Sequence, residues 1–80
     1  MRTSGPSATA FNLLGLVREA TGNPQEAISY YRKSIYLDPD RYETQFQLAL
    51  LMEKHGDVSG AQVLRTRARR LEEKSRAPRD

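Results

Sequence analysis

The chain has 80 residues, 38% of them hydrophobic, a formal net charge of +3 and no cysteine. This length allows one small domain, and without cysteine neither a disulfide framework nor a thiolate zinc site can stabilise it. No segment is long and apolar enough to span a membrane, and the start of the chain lacks the features of a signal peptide, so we expect a cytoplasmic protein.

The chain opens with a segment of low complexity followed by a predicted helix. Residues 1–7 mix Thr, Ser, Gly and Pro without periodicity and are predicted to be a flexible leader. The first helix is predicted over about 8–21, with Ser7 as its N-cap. Its apolar residues surround most of the helix, which predicts neighbours on more than one side.

The next residues predict a tight helical hairpin. Gly22 can adopt the left-handed conformation that ends a helix, Asn23 can cap the following helix, and Pro24 suits its first turn. Glu26 stands three residues after Asn23, so we expect a capping box, in which each side chain accepts from the backbone N–H of the other residue. The second helix is predicted over about 24–37.

A second hairpin is predicted to follow directly. Asp40 is expected to cap a third helix over about 41–55, again with a glutamate, Glu43, three residues later. Gly56 and Asp57 then repeat the helix-ending glycine and the capping residue of the first turn. A fourth helix is predicted over about 58–75, and residues 76–80 are predicted to be a disordered tail.

The two predicted hairpins share one fixed period, about 34 residues long, which is typical of stacked helix-turn-helix repeats. The equivalent positions of the two copies are Leu14 and Leu48, Gly15 and Ala49, Leu16 and Leu50, Gly22 and Gly56, Asn23 and Asp57, and Ala27 and Ala61. This pattern predicts an all-α fold made of four antiparallel helices.

The first copy resembles the tetratricopeptide repeat. The pattern is carried by Phe11-x2-Leu14-Gly15, Ala27-x3-Tyr31 and Pro39, although Arg18 stands where the family usually has Tyr. In the second copy, Gln45, Arg65 and Glu73 replace the aromatic, aromatic and Pro residues. The resemblance implies a domain over 8–75, made of repeat one at 8–41 and repeat two at 42–75, that forms a fragment of a right-handed α-solenoid.

Two departures bear on how the array ends. Arg65 occupies the position that packs against the next repeat, where an unpaired charge would be buried, so we interpret the second repeat as the last one. The first helix keeps apolar groups on its outer side, as if an earlier repeat preceded it. We therefore expect the isolated chain to form a homodimer through helix one.

The resemblance implies a concave partner-binding surface built from the first helix of each repeat. Its residues would be Thr9, Asn12, Leu16 and Glu19 from helix one, and Glu43, Phe46, Gln47, Leu50, Glu53 and Lys54 from helix three. An apolar centre flanked by carboxylates implies a protein or peptide partner with apolar anchors and basic residues. The alternative is that Phe46 and Leu50 are ordinary core residues, since helical spacing alone does not separate the two.

A narrower resemblance concerns the parent protein. The segment Ile35-Tyr36-Leu37-Asp38-Pro39-Asp40 and the later Arg67-Ala68-Arg69-Arg70-Leu71 are similar to the repeat segment attached to some bacterial chemotaxis-receptor methyltransferases. In that family, methyl transfer from S-adenosylmethionine belongs to a separate catalytic domain. The resemblance therefore implies a regulatory or targeting segment that is not itself an enzyme.

The residues predict no catalytic, cofactor-binding or metal site. His55 is the only histidine and stands at a helix end, where a cation is favoured by the helix dipole. Residues 58–80 carry seven basic and three acidic side chains, but they lack the interleaved aromatics of many nucleic-acid-binding segments. Three functions remain open: a protein-interaction module, a structural end-cap of a longer helical array, and a basic nucleic-acid-binding helical domain.

Overall fold

A computed structural model describes residues 7–76 of the chain, which fold into four α-helices. Helix α1 spans Ala8–Ala20, α2 spans Pro24–Leu37, α3 spans Tyr42–Lys54 and α4 spans Val58–Arg76. No strand occurs among these residues, so the all-α prediction is confirmed. The leader and tail predictions fall mostly on residues 1–6 and 77–80, outside the described part.

The chain divides into two compact units, one up to Pro39 and the other from Asp40. In the first unit α1 packs on α2, and in the second α3 packs on α4. Two hydrogen bonds show that the first hairpin is antiparallel. Near the turn Tyr31 donates to Glu19, and at the open end Ser34 donates to the carbonyl of Ala8.

Glycines end α1 and α3 as predicted. Gly22 has φ of 82° and Gly56 has φ of 95°, a left-handed conformation that residues with a Cβ rarely adopt. In each turn the following residue donates its backbone N–H five residues back, from Asn23 to Arg18 and from Asp57 to Met52. The same helix-ending turn is therefore built twice.

Two of the predicted N-caps are confirmed. The Ser7 hydroxyl accepts from the Ala10 backbone N–H at 3.1 Å, and the Asp57 carboxylate accepts from the Gly60 N–H at 3.0 Å. Each bond satisfies one of the backbone donors that the first turn of a helix leaves without an internal partner.

The two predicted capping boxes are wrong. Asn23 stands at the N-cap of α2, but its side chain makes no capping bond and instead donates to the Thr21 hydroxyl. Glu26 lies beside Arg18 and not beside Asn23, because an opposite charge on α1 is within its reach. Before α3, the N-cap position belongs to Arg41 and not to Asp40, since α3 begins one residue later than predicted.

The core of the first hairpin is built around a single aromatic ring. Tyr31 is fully buried, and its ring lies against Gly15 so closely that a Cβ at Gly15 would be 2.5 Å from the ring. Ala27 and Ser34, one turn before and after Tyr31, are also fully buried. The predicted close helix crossing at Gly15 is therefore confirmed.

The second hairpin has an aliphatic core in place of the ring. Its fully or nearly fully buried apolar side chains are Leu48, Ala49, Leu51, Ala61 and Ala68. Two polar residues of α3, Thr44 and Gln45, are buried with them. Across residues 7–76, no helix combines the length and the apolar character needed to cross a membrane.

Candidate interaction surfaces

Helix α1 contributes four of the predicted surface residues, of which Thr9 is exposed in its first turn. Asn12, Leu16 and Glu19 are spaced four and three residues apart and so share one side of α1. Leu16 is exposed, whereas Asn12 and Glu19 are half-buried. The Glu19 carboxylate accepts a 2.8 Å hydrogen bond from the Tyr31 hydroxyl, so part of its bonding capacity is used inside the hairpin.

This hydrogen bond changes the chemistry of Tyr31. Burial of the phenol raises its pKa well above the ordinary value, and the bond to Glu19 together with the negative charge of that carboxylate raises it further. Tyr31 is therefore held as a neutral donor, and it acts on the candidate surface only by positioning Glu19.

Helix α3 contributes the other six predicted residues. Leu50 is 56% exposed, and the exposed Glu43, Glu53 and Lys54 lie on the same helix. Phe46 is half-buried and meets the Tyr42 ring edge-on, with 6.3 Å between the ring centroids. Gln47 is also half-buried. The alternative that Leu50 is an ordinary core residue does not hold, while Phe46 is partly covered by its own helix.

One feature of the second hairpin was missed from the sequence. Arg65 donates to the Glu53 carboxylate at 2.5 Å, and both side chains are partly exposed, by 31% and 41%. Glu53 and Arg65 occupy the positions equivalent to Glu19 and Tyr31, so the repeat indicates this pairing once the Tyr31–Glu19 bond of the first hairpin is known. Glu53 is thus partly neutralised by Arg65, whereas among residues 7–76 no ion pair engages Glu43.

The described residues offer no arrangement suited to a metal ion. Across residues 7–76, no three His, Cys, Asp or Glu side chains come together as a potential ligand set. The site residues instead form exposed surface. Each of α1 and α3 has an exposed leucine, with polar and charged side chains one turn away. Such an arrangement can bind a peptide or a protein surface.

The chain builds the same helical hairpin twice at a fixed period, and each hairpin is closed by a glycine turn. This arrangement defines a helical-repeat protein. Residues 8–41, a little under half of the chain, match the family model of the tetratricopeptide repeat. The predicted resemblance is therefore confirmed.

Two relatives extend the comparison to most of the chain. The probable biofilm formation methyltransferase WspC of Pseudomonas aeruginosa is 47% identical over 66 residues, which are 82% of this chain and 16% of the relative. The protein of the same description from Pseudomonas putida is 43% identical over 65 residues, 81% of this chain and 15% of the relative. The chain thus spans about one sixth of the length of these relatives, and the predicted similarity to a repeat segment of methyltransferases is confirmed.

Proposed function

We propose that this chain is a protein-interaction module that serves as the regulatory or targeting segment of a methyltransferase acting on chemotaxis-type receptors in the cytoplasm. Tetratricopeptide repeats bind proteins and peptides, and the two relatives are described as methyltransferases. In this proposal the catalytic domain lies elsewhere in a longer protein, and the repeat segment brings it to its site of action.

The observation that carries the binding proposal is the exposure of Leu50. A leucine that is more than half exposed in the middle of α3 contributes little to the core of its hairpin, yet it supplies apolar area that a partner can cover. Leu16 stands at the equivalent position of the first repeat and is exposed on α1 in the same way. Both hairpins therefore present an apolar residue at the same repeat position.

The proposed partner segment carries an apolar anchor beside lysine or arginine. Glu43 is exposed on α3 and supplies the carboxylate for such a basic residue, while Glu19 and Glu53 are shared with Tyr31 and Arg65. Flanking charges of this kind affect the association rate more than the final affinity.

The test is selection of binding peptides from a random library on the immobilised chain, followed by affinity measurements on the enriched peptides. Leu50→Asp should weaken binding of peptides that carry apolar and basic residues about tenfold or more, because it places a charge at the anchor. Val58→Asp is the matched control, since Val58 is also 56% exposed but lies at the start of α4. Equal binding by both variants would contradict the proposal.

The outer side of α1 favours a second use of the chain, as a homodimer. Leu13 and Val17 are 55% and 54% exposed on α1, whereas Leu51, the equivalent of Val17 in the second repeat, is only 1% exposed. We propose that two copies cover this apolar side of α1 by packing together or by exchanging a helix.

The dimer proposal is tested by light scattering over a range of concentrations. The mass should rise toward that of a dimer, and Leu13→Glu combined with Val17→Glu should keep the chain monomeric because charges oppose burial. A parent chain that stays monomeric at the highest concentration would reject the dimer while leaving the peptide-binding proposal intact.

A further inference from the structure

The outward side of α4 carries an exposed apolar residue followed by three cations. Val63 is 59% exposed and lines a shallow depression together with Arg67, Arg70 and Lys74. These four residues, called here the basic strip, recur at intervals of three or four positions and therefore lie on one side of the helix.

The basic strip faces away from the core of its hairpin. Helix α4 is anchored to that core through Ala61 and Ala68, which are fully buried. At about 100° per residue, Val63 and Arg70 project from the opposite side of the helix. The strip therefore remains available after the hairpin has folded.

The cations of the strip have no acidic partner within the hairpin. Elsewhere in this unit Arg65 is paired with Glu53 and Arg76 with Glu72. Within residues 7–76, by contrast, no ion pair or hydrogen bond engages the three cations of the strip. No carboxylate among the described residues lines the depression.

The first hairpin shows what the second one lacks. Lys33, the equivalent of Arg67 in the first repeat, places its ammonium 5.6 Å from the ring centroids of Phe11 and Tyr30. In the second repeat the positions of those two rings are held by Gln45 and Leu64, which offer no aromatic face. The cation that the first hairpin uses internally is thus left free in the second.

We propose that the basic strip docks an acidic amphipathic helix of a partner protein. The partner's apolar side chain covers Val63, and its carboxylates pair with the three cations that follow along the helix. From Val63 to Lys74 the strip is about 16 Å long at 1.5 Å per residue, so three turns of a partner helix cover it. This surface lies on α4 and does not share a residue with the surface proposed on α1 and α3.

A protein partner fits the strip better than a nucleic acid. One end of the strip is an aliphatic side chain, Val63, which gains from burial but offers nothing to a phosphate. The four residues include no aromatic ring on which a base can stack. Arginine matches the planar carboxylate of a glutamate or aspartate with paired hydrogen bonds.

The experiment uses peptides of about 16 residues, roughly four helical turns, selected from a random library on the immobilised chain. An enriched class rich in Asp and Glu around an apolar residue is expected. Affinity for such a peptide, measured by fluorescence anisotropy, should fall about tenfold or more in Arg70→Glu and in Val63→Asp. Arg69→Glu makes the same charge change on α4 outside the strip and should alter the affinity by no more than about twofold.

Three controls separate this proposal from its alternatives. Thermal melts should show that the variants remain folded, since all of the changed side chains are exposed. Leu50→Asp should leave the affinity for the acidic peptide unchanged. The proposal for the α3 surface and the proposal for the strip can therefore be rejected independently. The absence of an acidic class, or equal losses in Arg69→Glu and Arg70→Glu, would overturn the proposal. Tighter binding of a single-stranded RNA that depends on Arg70 but not on Val63 would assign the strip to nucleic acid instead.

Discussion

The two hairpins keep the same contacts while the residues that make them change in pairs. In the first hairpin, the Tyr31 ring packs against Gly15 and the Tyr31 hydroxyl donates to the Glu19 carboxylate. In the second, Arg65 replaces the tyrosine and donates to Glu53, and the position equivalent to Gly15 is an alanine, Ala49. The glycine is needed only where a ring fills the space that a Cβ would occupy.

A second pair of positions follows the same rule. Arg18 Nε lies 3.3 Å from the Glu26 carboxylate as an ion pair, although without hydrogen-bond geometry. The equivalent residues of the second repeat are Met52 and Gly60, and a Cβ at Gly60 would be 2.6 Å from the end of the Met52 side chain. A charged contact is thus exchanged for a steric one at the same crossing. The repeat preserves which positions touch but not the chemistry of the contact.

The largest expected effect is at Gly15. Replacing a helical glycine with alanine ordinarily stabilises by up to about 1 kcal/mol, but here the added Cβ would be 2.5 Å from the buried Tyr31 ring. The overlap should dominate, so we expect Gly15→Ala to lower the free energy of unfolding by about 1–3 kcal/mol in urea denaturation.

A double variant sharpens the comparison at this site. Gly15→Ala combined with Tyr31→Arg recreates the pair found in the second hairpin, so the combined loss should be smaller than the sum of the single losses. In the second hairpin, Ala49→Gly removes helix propensity together with a buried methyl group and should cost about 1–2 kcal/mol. Additive losses at Gly15 and Tyr31 would contradict the proposed exchange.

The sequence predicted the helices because the chain marks their ends clearly. Gly22 and Gly56 take the left-handed conformation, and Ser7 and Asp57 cap their helices. The fixed period of the repeat also identified which positions correspond. Local rules failed at Glu26, because its preference for a capping box was overridden by Arg18 on the neighbouring helix.

The candidate surfaces were less predictable than the helices. Helical spacing placed Phe46 and Leu50 on one face, but their exposure depends on which neighbours cover them, and only Leu50 is more than half exposed. The pairing of Arg65 with Glu53 joins residues twelve apart across a turn, which requires the packed hairpin. The cations of the basic strip could likewise be recognised as unpaired only once the structure had shown that Arg65 and Arg76 are the paired arginines of α4.

The next largest effect is expected at the Tyr31 hydroxyl. Tyr31→Phe keeps the ring against Gly15 but removes the hydrogen bond to Glu19, which should cost about 1–2 kcal/mol at neutral pH. Because the Tyr31 side chain is fully buried and its hydroxyl is uncharged, the loss should change little between low and high salt. Urea denaturation at two salt concentrations measures both quantities, and a loss that disappears in high salt would place the bond in solvent.

The same variant has a predictable dependence on pH. Burial and the Glu19 bond raise the pKa of the Tyr31 phenol above its unfolded value of about 10. The stabilisation is therefore fully present below about pH 10 and is lost as the pH rises toward the raised pKa, because the unfolded chain ionises first. The deficit of Tyr31→Phe relative to the parent should shrink in alkaline solution, and a constant deficit would argue against this linkage.

A smaller effect is expected at the equivalent bond of the second hairpin. Arg65→Met keeps the aliphatic stem but removes the donor to Glu53. Both side chains are partly exposed, so the loss should be about 0–1 kcal/mol and should vanish in about 1 M salt. Arg69→Met, an exposed position on the same helix, is the control and should be close to neutral. A salt-independent loss at Arg65 would show that its pair is shielded like that of Tyr31.

The smallest effect is expected at Gly60, where two terms oppose each other. Alanine should gain up to about 1 kcal/mol of helix propensity. Its Cβ would meet the end of Met52 at 2.6 Å and the Asp57 carboxylate at 2.7 Å. The methionine tip can turn away at little cost because the side chain is flexible, but any movement of Asp57 weakens its cap on the Gly60 N–H. We therefore expect the free energy of unfolding of Gly60→Ala to remain within about 1 kcal/mol of the parent value.

The double variant Gly60→Ala with Asp57→Ala separates the two terms. Because Asp57→Ala has already removed the cap, adding Gly60→Ala should then raise the free energy of unfolding by the gain in helix propensity. If Gly60→Ala is instead as damaging as Gly15→Ala, then Met52 is held as rigidly as the Tyr31 ring, and the contrast between a fixed ring and a flexible side chain fails.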